Sequence, residues 1–165
     1  METVYLETTI ISYLVSNPSR DLIVAGHQAV TRQWWDVQRP LFGCFASAVV
    51  LEEVQQGDRH MAAKRLEALE GIPVLEITEA TAELIRRIVA AGVLPPRATR
   101  DAAHVAIATT GGVDYLLTWN CRHIANAKIE TRLRAVCESA GWRMPALCTP
   151  EELMGEEDEG GDEHA

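Results

Sequence analysis

The chain has 165 residues, 47% of them hydrophobic, and a formal net charge of −9. That length suits one domain with a sizeable core, and no apolar run is long enough to span a bilayer. The charge does not describe the body of the chain: residues 151–165 carry 8 acidic groups and no Lys or Arg, which leaves 15 basic and 16 acidic groups in residues 1–150, so the acidic balance does not exclude a nucleic-acid-binding face.

Met1 is followed by an acidic residue and a strand-like run, with no basic leader or apolar signal core, which predicts a cytoplasmic protein. Val4-Tyr5-Leu6 is the first strand candidate. Thr8 and Thr9 then offer capping hydroxyls for a helix through Ile10, Ile11 and Leu14, broken at Asn17-Pro18-Ser19. Residues 21–37 read as a long helix with Leu22, Ile23, Ala25, Ala29, Val30 and Trp34 on one side. Trp34 and Trp35 point differently, one as core and the other as an interface candidate.

Residues 41–45 predict a second strand, and Ser47 an N-cap for a helix carrying Glu53 and closing at Gly57. A helix over 60–69, an alternating strand over 73–77 and a helix from Thr78 to about Ala91 follow. Beyond the break at Gly92 to Pro96, residues 99–109 form an Ala-rich helix capped by Thr99, with Asp101 in its first turn. Residues 115–118 predict a strand, 120–126 a polar loop, 130–140 a helix and 144–148 a last strand. Thr149-Pro150-Glu151-Glu152 starts a short terminal helix. The domain is expected over residues 1–154, and 155–165 reads as an acidic, disordered tail. The four cysteines form no Cys-x-x-Cys pair and read as free thiols used for packing.

Strands alternating with helices imply an α/β fold with a parallel sheet, and such folds bind ligands beyond the carboxyl ends of their strands. Glu7 and Asn120 fall at two of those ends, while Glu53 and Asp101 come from helices able to pack over the same edge. An acid directly after a buried strand is costly unless paired or bound to metal. Asp101 alone would suit the helix dipole, and Asn120 alone would suit a turn. Glu52 and Glu53 lie about 100° apart on a helix, so only one faces the site, and Glu53 is the expected one. His104 reads as packing or solvent-facing, and Asp58 and Asp114 as turn residues.

In order along the chain, Leu6-Glu7-Thr8-Thr9, Glu53-Val54-Gln55-Gln56-Gly57, Asp101-Ala102-Ala103-His104 and Leu117-Thr118-Trp119-Asn120 make a pattern that resembles the PIN-domain family. Within that family it looks like the VapC-type toxins of bacterial toxin–antitoxin systems, over residues 2 to 153. The resemblance implies a PIN-like three-layer α/β/α domain whose central parallel sheet has about four to five strands. It implies an endoribonuclease that uses Mg²⁺ or Mn²⁺ to hydrolyse phosphodiester bonds in RNA, forms a homodimer and is neutralised by a cognate antitoxin.

Carried over residue by residue, Glu7 and Asp101 are the expected metal ligands. Glu53 is a ligand or anchors a water, and Asn120 offers one neutral oxygen. Thr8 and Thr118 orient the carboxylates, and Arg122 and His123 touch substrate phosphate. The sequence departs from the family's commoner pattern in two places: Glu7 stands where an Asp is usual, and Asn120 replaces a frequent Asp. These departures keep open a second reading, a catalytically weak or inactive PIN-fold module that binds RNA or protein. A phosphohydrolase on another doubly wound fold is disfavoured, because no Asp-x-Asp follows the first strand and no phosphate-cradling Gly-rich loop is present.

Overall fold

A computed structural model describes residues 1–155. The acidic tail expected beyond the domain lies outside the described residues, apart from Gly155. Among the described residues the chain forms β1 (Thr3–Leu6), α1 (Thr8–Val15), α2 (Leu22–Gln33), β2 (Gly43–Ser47), α3 (Ala48–Val54), α4 (Arg59–Ala68) and β3 (Val74–Leu75). It continues through α5 (Glu79–Ala90), α6 (Thr99–Thr110), β4 (Tyr115–Leu117), α7 (Ala127–Ser139) and β5 (Ala146–Cys148).

The sheet is wholly parallel in the order β3-β2-β1-β4-β5. Parallel strands buried on both faces need near-continuous apolar sequence, which Val4, Tyr5, Leu6, Leu116 and Leu117 supply, all fully buried. The first two crossovers step one way from β1, and the next two place β4 and β5 on its other side. Right-handed crossovers therefore put α1 to α4 on one face and α5 to α7 on the other. Accordingly, α1 packs on α2, α3 and α4, and α5 packs on α6 and α7. The order reverses between β1 and β4, so the topological switch point lies where Glu7 and Asn120 leave the sheet.

Several local expectations are corrected. The cap of α1 is Glu7 itself, whose carboxylate accepts the Thr9 N–H. Along α2 only the far end of the expected stripe meets the core: Leu22 is 88% exposed and Ile23 71%, whereas Val30 packs against the core and Trp34 is buried, joined by the polar Gln28 and Thr31. Gln28 is tolerated inside because its amide bonds Ser16 Oγ, the Asn17 carbonyl and the Ser19 N–H. Winding continues past Gln33 as a π segment, Trp34–Gln38, and a 3₁₀ turn, Arg39–Leu41. Trp34 joins the core and Trp35 packs beneath Arg39.

Thr99 does not cap α6. A 3₁₀ turn over Pro96–Ala98 leads into that helix, and the Thr99 hydroxyl donates back to the Pro96 carbonyl. Residues 150–153 form turns rather than a helix, with Glu152 accepting from Thr149. Asp58 caps α4, and Asp114 ties β4 to Thr3 at the start of β1. Cys44, Cys121, Cys137 and Cys148 are free thiols. No described helix is long and apolar enough to cross a membrane.

Candidate functional site

Backbone pairing fixes the carboxyl edge of the sheet before any side chain is placed. The Glu7 N–H donates to the Leu117 carbonyl at 3.0 Å, and the Thr118 N–H to the Cys148 carbonyl at 2.9 Å. Glu7 is thereby held beside the end of β4. Its side chain is only 3% exposed, and Oε2 accepts from Thr9 N at 2.7 Å and Thr9 Oγ1 at 2.6 Å. Burial raises the Glu7 carboxyl above its ordinary pKa, the nearby His104 and the Thr9 bonds oppose the rise, and the charge of Glu53 adds to it.

Ser47 ends β2 and caps α3, accepting the Val50 N–H at 3.3 Å, and this start sets the phase of the helix. Glu53 consequently turns inward, while Glu52 pairs with Arg100 at the surface. Glu53 Oε1 accepts from Thr8 Oγ1 at 2.9 Å and lies 2.6 Å from His104 Nε2. An ionised carboxylate can only accept, so Nε2 is the donor. Burial alone would raise the Glu53 pKa. The His104 contact, the Thr8 hydroxyl and Arg100 outweigh it and hold the carboxyl below its ordinary range. Two neighbouring carboxyls are therefore pushed in opposite directions, an arrangement that divides ionised from proton-holding roles.

His104 is almost fully buried, and its Nδ1 lies 2.7 Å from the Tyr5 hydroxyl, which in turn lies 2.8 Å from Ser47 Oγ. Burial keeps the Tyr5 phenol protonated far beyond its ordinary range. A continuous polar thread, Ser47–Tyr5–His104–Glu53–Thr8, thus runs from the core to the sheet edge. Sequence reading misses Tyr5 and His104. A Tyr inside a β run reads as core, and the one available signal is that His104 stands three residues after Asp101, one helical turn along the same face.

Asp101 belongs to a second group. Its Oδ1 accepts from Asn120 Nδ2 at 3.1 Å, and Oδ2 lies 2.9 Å from His123 Nδ1. Asn120 Oδ1 accepts the His123 backbone N–H at 3.0 Å, closing a ring of contacts. The amide of Asn120 therefore turns its nitrogen toward Asp101 and its oxygen toward the loop. Among the described residues the Thr118 hydroxyl hydrogen-bonds to none of the carboxylates; it accepts the Asn120 N–H at 2.9 Å and shapes the turn. Thr9, expected from the sequence only as a capping hydroxyl, joins the two groups: the hydroxyl that serves Glu7 also accepts the Trp119 N–H at 2.9 Å. Arg122 is exposed on the same loop. His123 Nε2 has no partner among the described residues, so it is the ring atom available to a ligand.

Among the described residues, no three His, Cys, Asp or Glu side chains converge as a metal-binding group. Mg²⁺ does not require one, since it keeps several waters and is commonly held by one or two carboxylates plus substrate phosphate. The donors fit that smaller set. Glu7 Oε1 and Glu53 Oε2 accept no hydrogen bond among the described residues, and Glu7 is buried without a Lys or Arg ion pair. A buried carboxylate of this kind is neutralised by a proton or compensated by a cation. No family model matches the chain, and no curated protein matches it.

Proposed function

We propose that the protein is a Mg²⁺- or Mn²⁺-dependent endoribonuclease of the PIN type, working as the toxin of a toxin–antitoxin pair. The observation that carries this reading is the placement of Glu7, buried and without a Lys or Arg ion pair among the described residues, at the β1/β4 switch point, with Glu53 and Asp101 on helices over the same edge. When bound, a divalent cation supplies charge stabilisation at the phosphoryl oxygens.

The chain's own residues supply position. Thr9 and Thr8 aim Glu7 and Glu53, His104 holds Glu53 ionised, and Asn120 and His123 hold Asp101. Glu7 and Glu53 are the first ligands in this reading, with Asp101 completing the set through an oxygen that Asn120 or His123 shares. Arg122 meets substrate phosphate, and His123 does so through an Nε2–H in its imidazolium form, since Nδ1 already donates to Asp101. A homodimer and a cognate antitoxin belong to the same proposal and rest on the sequence resemblance.

A second reading, a PIN-fold module that binds RNA or protein with little catalysis, is favoured by one observation. Both oxygens of Asp101 are already engaged, by Asn120 and His123.

Calorimetric titration with Mn²⁺ and cleavage of total cellular RNA, each for wild type and Asp101→Asn, decide between them. Ion binding and cleavage in the wild type, with both lost in a folded Asp101→Asn, support the nuclease. RNA binding without cleavage at saturating Mn²⁺ supports the module.

A further inference from the structure

We propose that Tyr13, His27 and Trp119 form a stacking subsite for one base of single-stranded RNA crossing the acidic edge; this rests on the nuclease reading and specifies its substrate class. Trp119 stands between Thr118 and Asn120, and its backbone N–H is held by the same Thr9 hydroxyl that holds Glu7. The indole therefore leaves the chain at the site. It is 8% exposed and locked in place, because Nε1–H donates to Thr31 Oγ1 at 2.7 Å and Thr31 donates to the His27 carbonyl at 2.6 Å.

The His27 ring lies on this fixed indole with centroids 4.0 Å apart and planes 12° apart. The Tyr13 centroid is 6.2 Å from both rings, at 87° to His27 and 82° to Trp119. A ring equidistant from two stacked rings stands beside the stack, not on it. Neither aromatic neighbour covers the outer face of His27. Tyr13 and His27 are both only partly buried, and their side-chain polar atoms have no hydrogen-bond partner among the described residues.

A base laid on His27 extends the stack by one layer, with Tyr13 at its edge. Base–aromatic stacking contributes about 1–3 kcal/mol per base and tolerates any sequence. Bases in a duplex are already stacked on their neighbours, so the subsite selects unpaired RNA.

The test uses the full chain in EDTA, which prevents metal-dependent cleavage during binding. The probe is an oligoadenylate of about ten nucleotides carrying 2-aminopurine at an internal position. Affinity comes from anisotropy of an end label, and stacking from quenching of the 2-aminopurine. The expected result is tighter binding of the single strand than of its duplex with oligouridylate, with quenching. His27→Ala is expected to weaken the single strand by about tenfold or more and abolish quenching, and His27→Phe to restore both, with both variants folded by circular dichroism. Equal affinity of wild type and folded His27→Ala, or equal binding of duplex and single strand, overturns the subsite. If His27→Ala binds as wild type while Asp101→Asn loses Mn²⁺-dependent cleavage, the subsite falls and the nuclease stands. No RNA binding and no cleavage by wild type overturns both.

Discussion

His104 Nε2 lies 2.6 Å from Glu53 Oε1, and the other ring nitrogen lies 2.7 Å from the Tyr5 hydroxyl. Both edges of a buried imidazole are therefore committed, and the ring fixes one oxygen of Glu53. Tyr5→Phe removes the middle hydroxyl of the thread with little change in shape. It strands Ser47 and His104 Nδ1 in a buried setting, a loss of about 1–3 kcal/mol. For a domain of this size that lowers Tm by roughly 2–4 °C per kcal/mol. Thermal unfolding followed by circular dichroism measures it, and an unchanged Tm would show that the thread carries no stability.

Glu52 and Glu53 separate two roles that sequence alone assigns only by helical phase. Glu52 pairs with Arg100 where both are largely exposed, an arrangement worth about 0–1 kcal/mol. Glu52→Gln is expected to leave RNA cleavage within about twofold of wild type. Glu53→Gln keeps one oxygen able to accept from His104 and Thr8 but removes the site charge and the second oxygen, with an expected loss of about 10- to 100-fold. Parallel rate measurements at saturating Mn²⁺ check the pair. Equal losses in the two variants would contradict the assignment of Glu53.

Glu7 predicts a pH dependence with a definite sign. Burial raises its pKa, with Glu53 adding to the rise and His104 and Thr9 opposing it. The native protein then holds a proton that the unfolded chain has already released. The stability tied to that proton is full below the ordinary Glu range and is lost as pH rises through the folded-state value. Glu7→Gln removes this loss, so its Tm in EDTA should exceed that of wild type near about pH 7, and the gap should shrink toward about pH 4. Cleavage should be lost at both pH values. A Tm difference that does not vary with pH would remove burial of the charge as its cause.

What the sequence revealed follows from how each signal is encoded. Alternating strands and helices gave the parallel α/β sheet, because continuous apolar strands such as Val4 to Leu6 have few other uses. Acids at strand ends were visible because Glu7 directly follows that run. The partners of those acids were not visible: His104 reaches Glu53 across 51 residues, and Tyr5 reaches His104 across 99. The buried polar face of α2 was also hidden, since Gln28 finds its partners only once the loop after α1 folds over it. Thr8 and Thr9 are adjacent hydroxyls, and the sequence carries no mark of which one faces which acid. The backbone sends one to Glu7 and the other to Glu53.

Asn120 offers the sharpest test of where a cation would sit. Its Nδ2 donates to Asp101 Oδ1 at 3.1 Å while its Oδ1 accepts the His123 N–H at 3.0 Å. Asn120→Asp keeps the second contact, but replaces an N–H facing Asp101 with a second carboxylate oxygen. Without a divalent ion, like charges at that distance oppose each other and the native state is weakened. A loss of about 1–2 kcal/mol, or roughly 2–8 °C in Tm, is expected in EDTA. With Mn²⁺ the added charge becomes a further attraction, so ion affinity should rise by about tenfold. The stabilisation on adding ion grows with the ratio of free ion to Kd, and the deficit in Tm should close or reverse. Unfolding scans of both proteins in EDTA and in millimolar Mn²⁺ measure the four values needed. Equal destabilisation of the variant in both conditions would place the cation away from the Asp101–Asn120 pair and return the site to Glu7 and Glu53 alone.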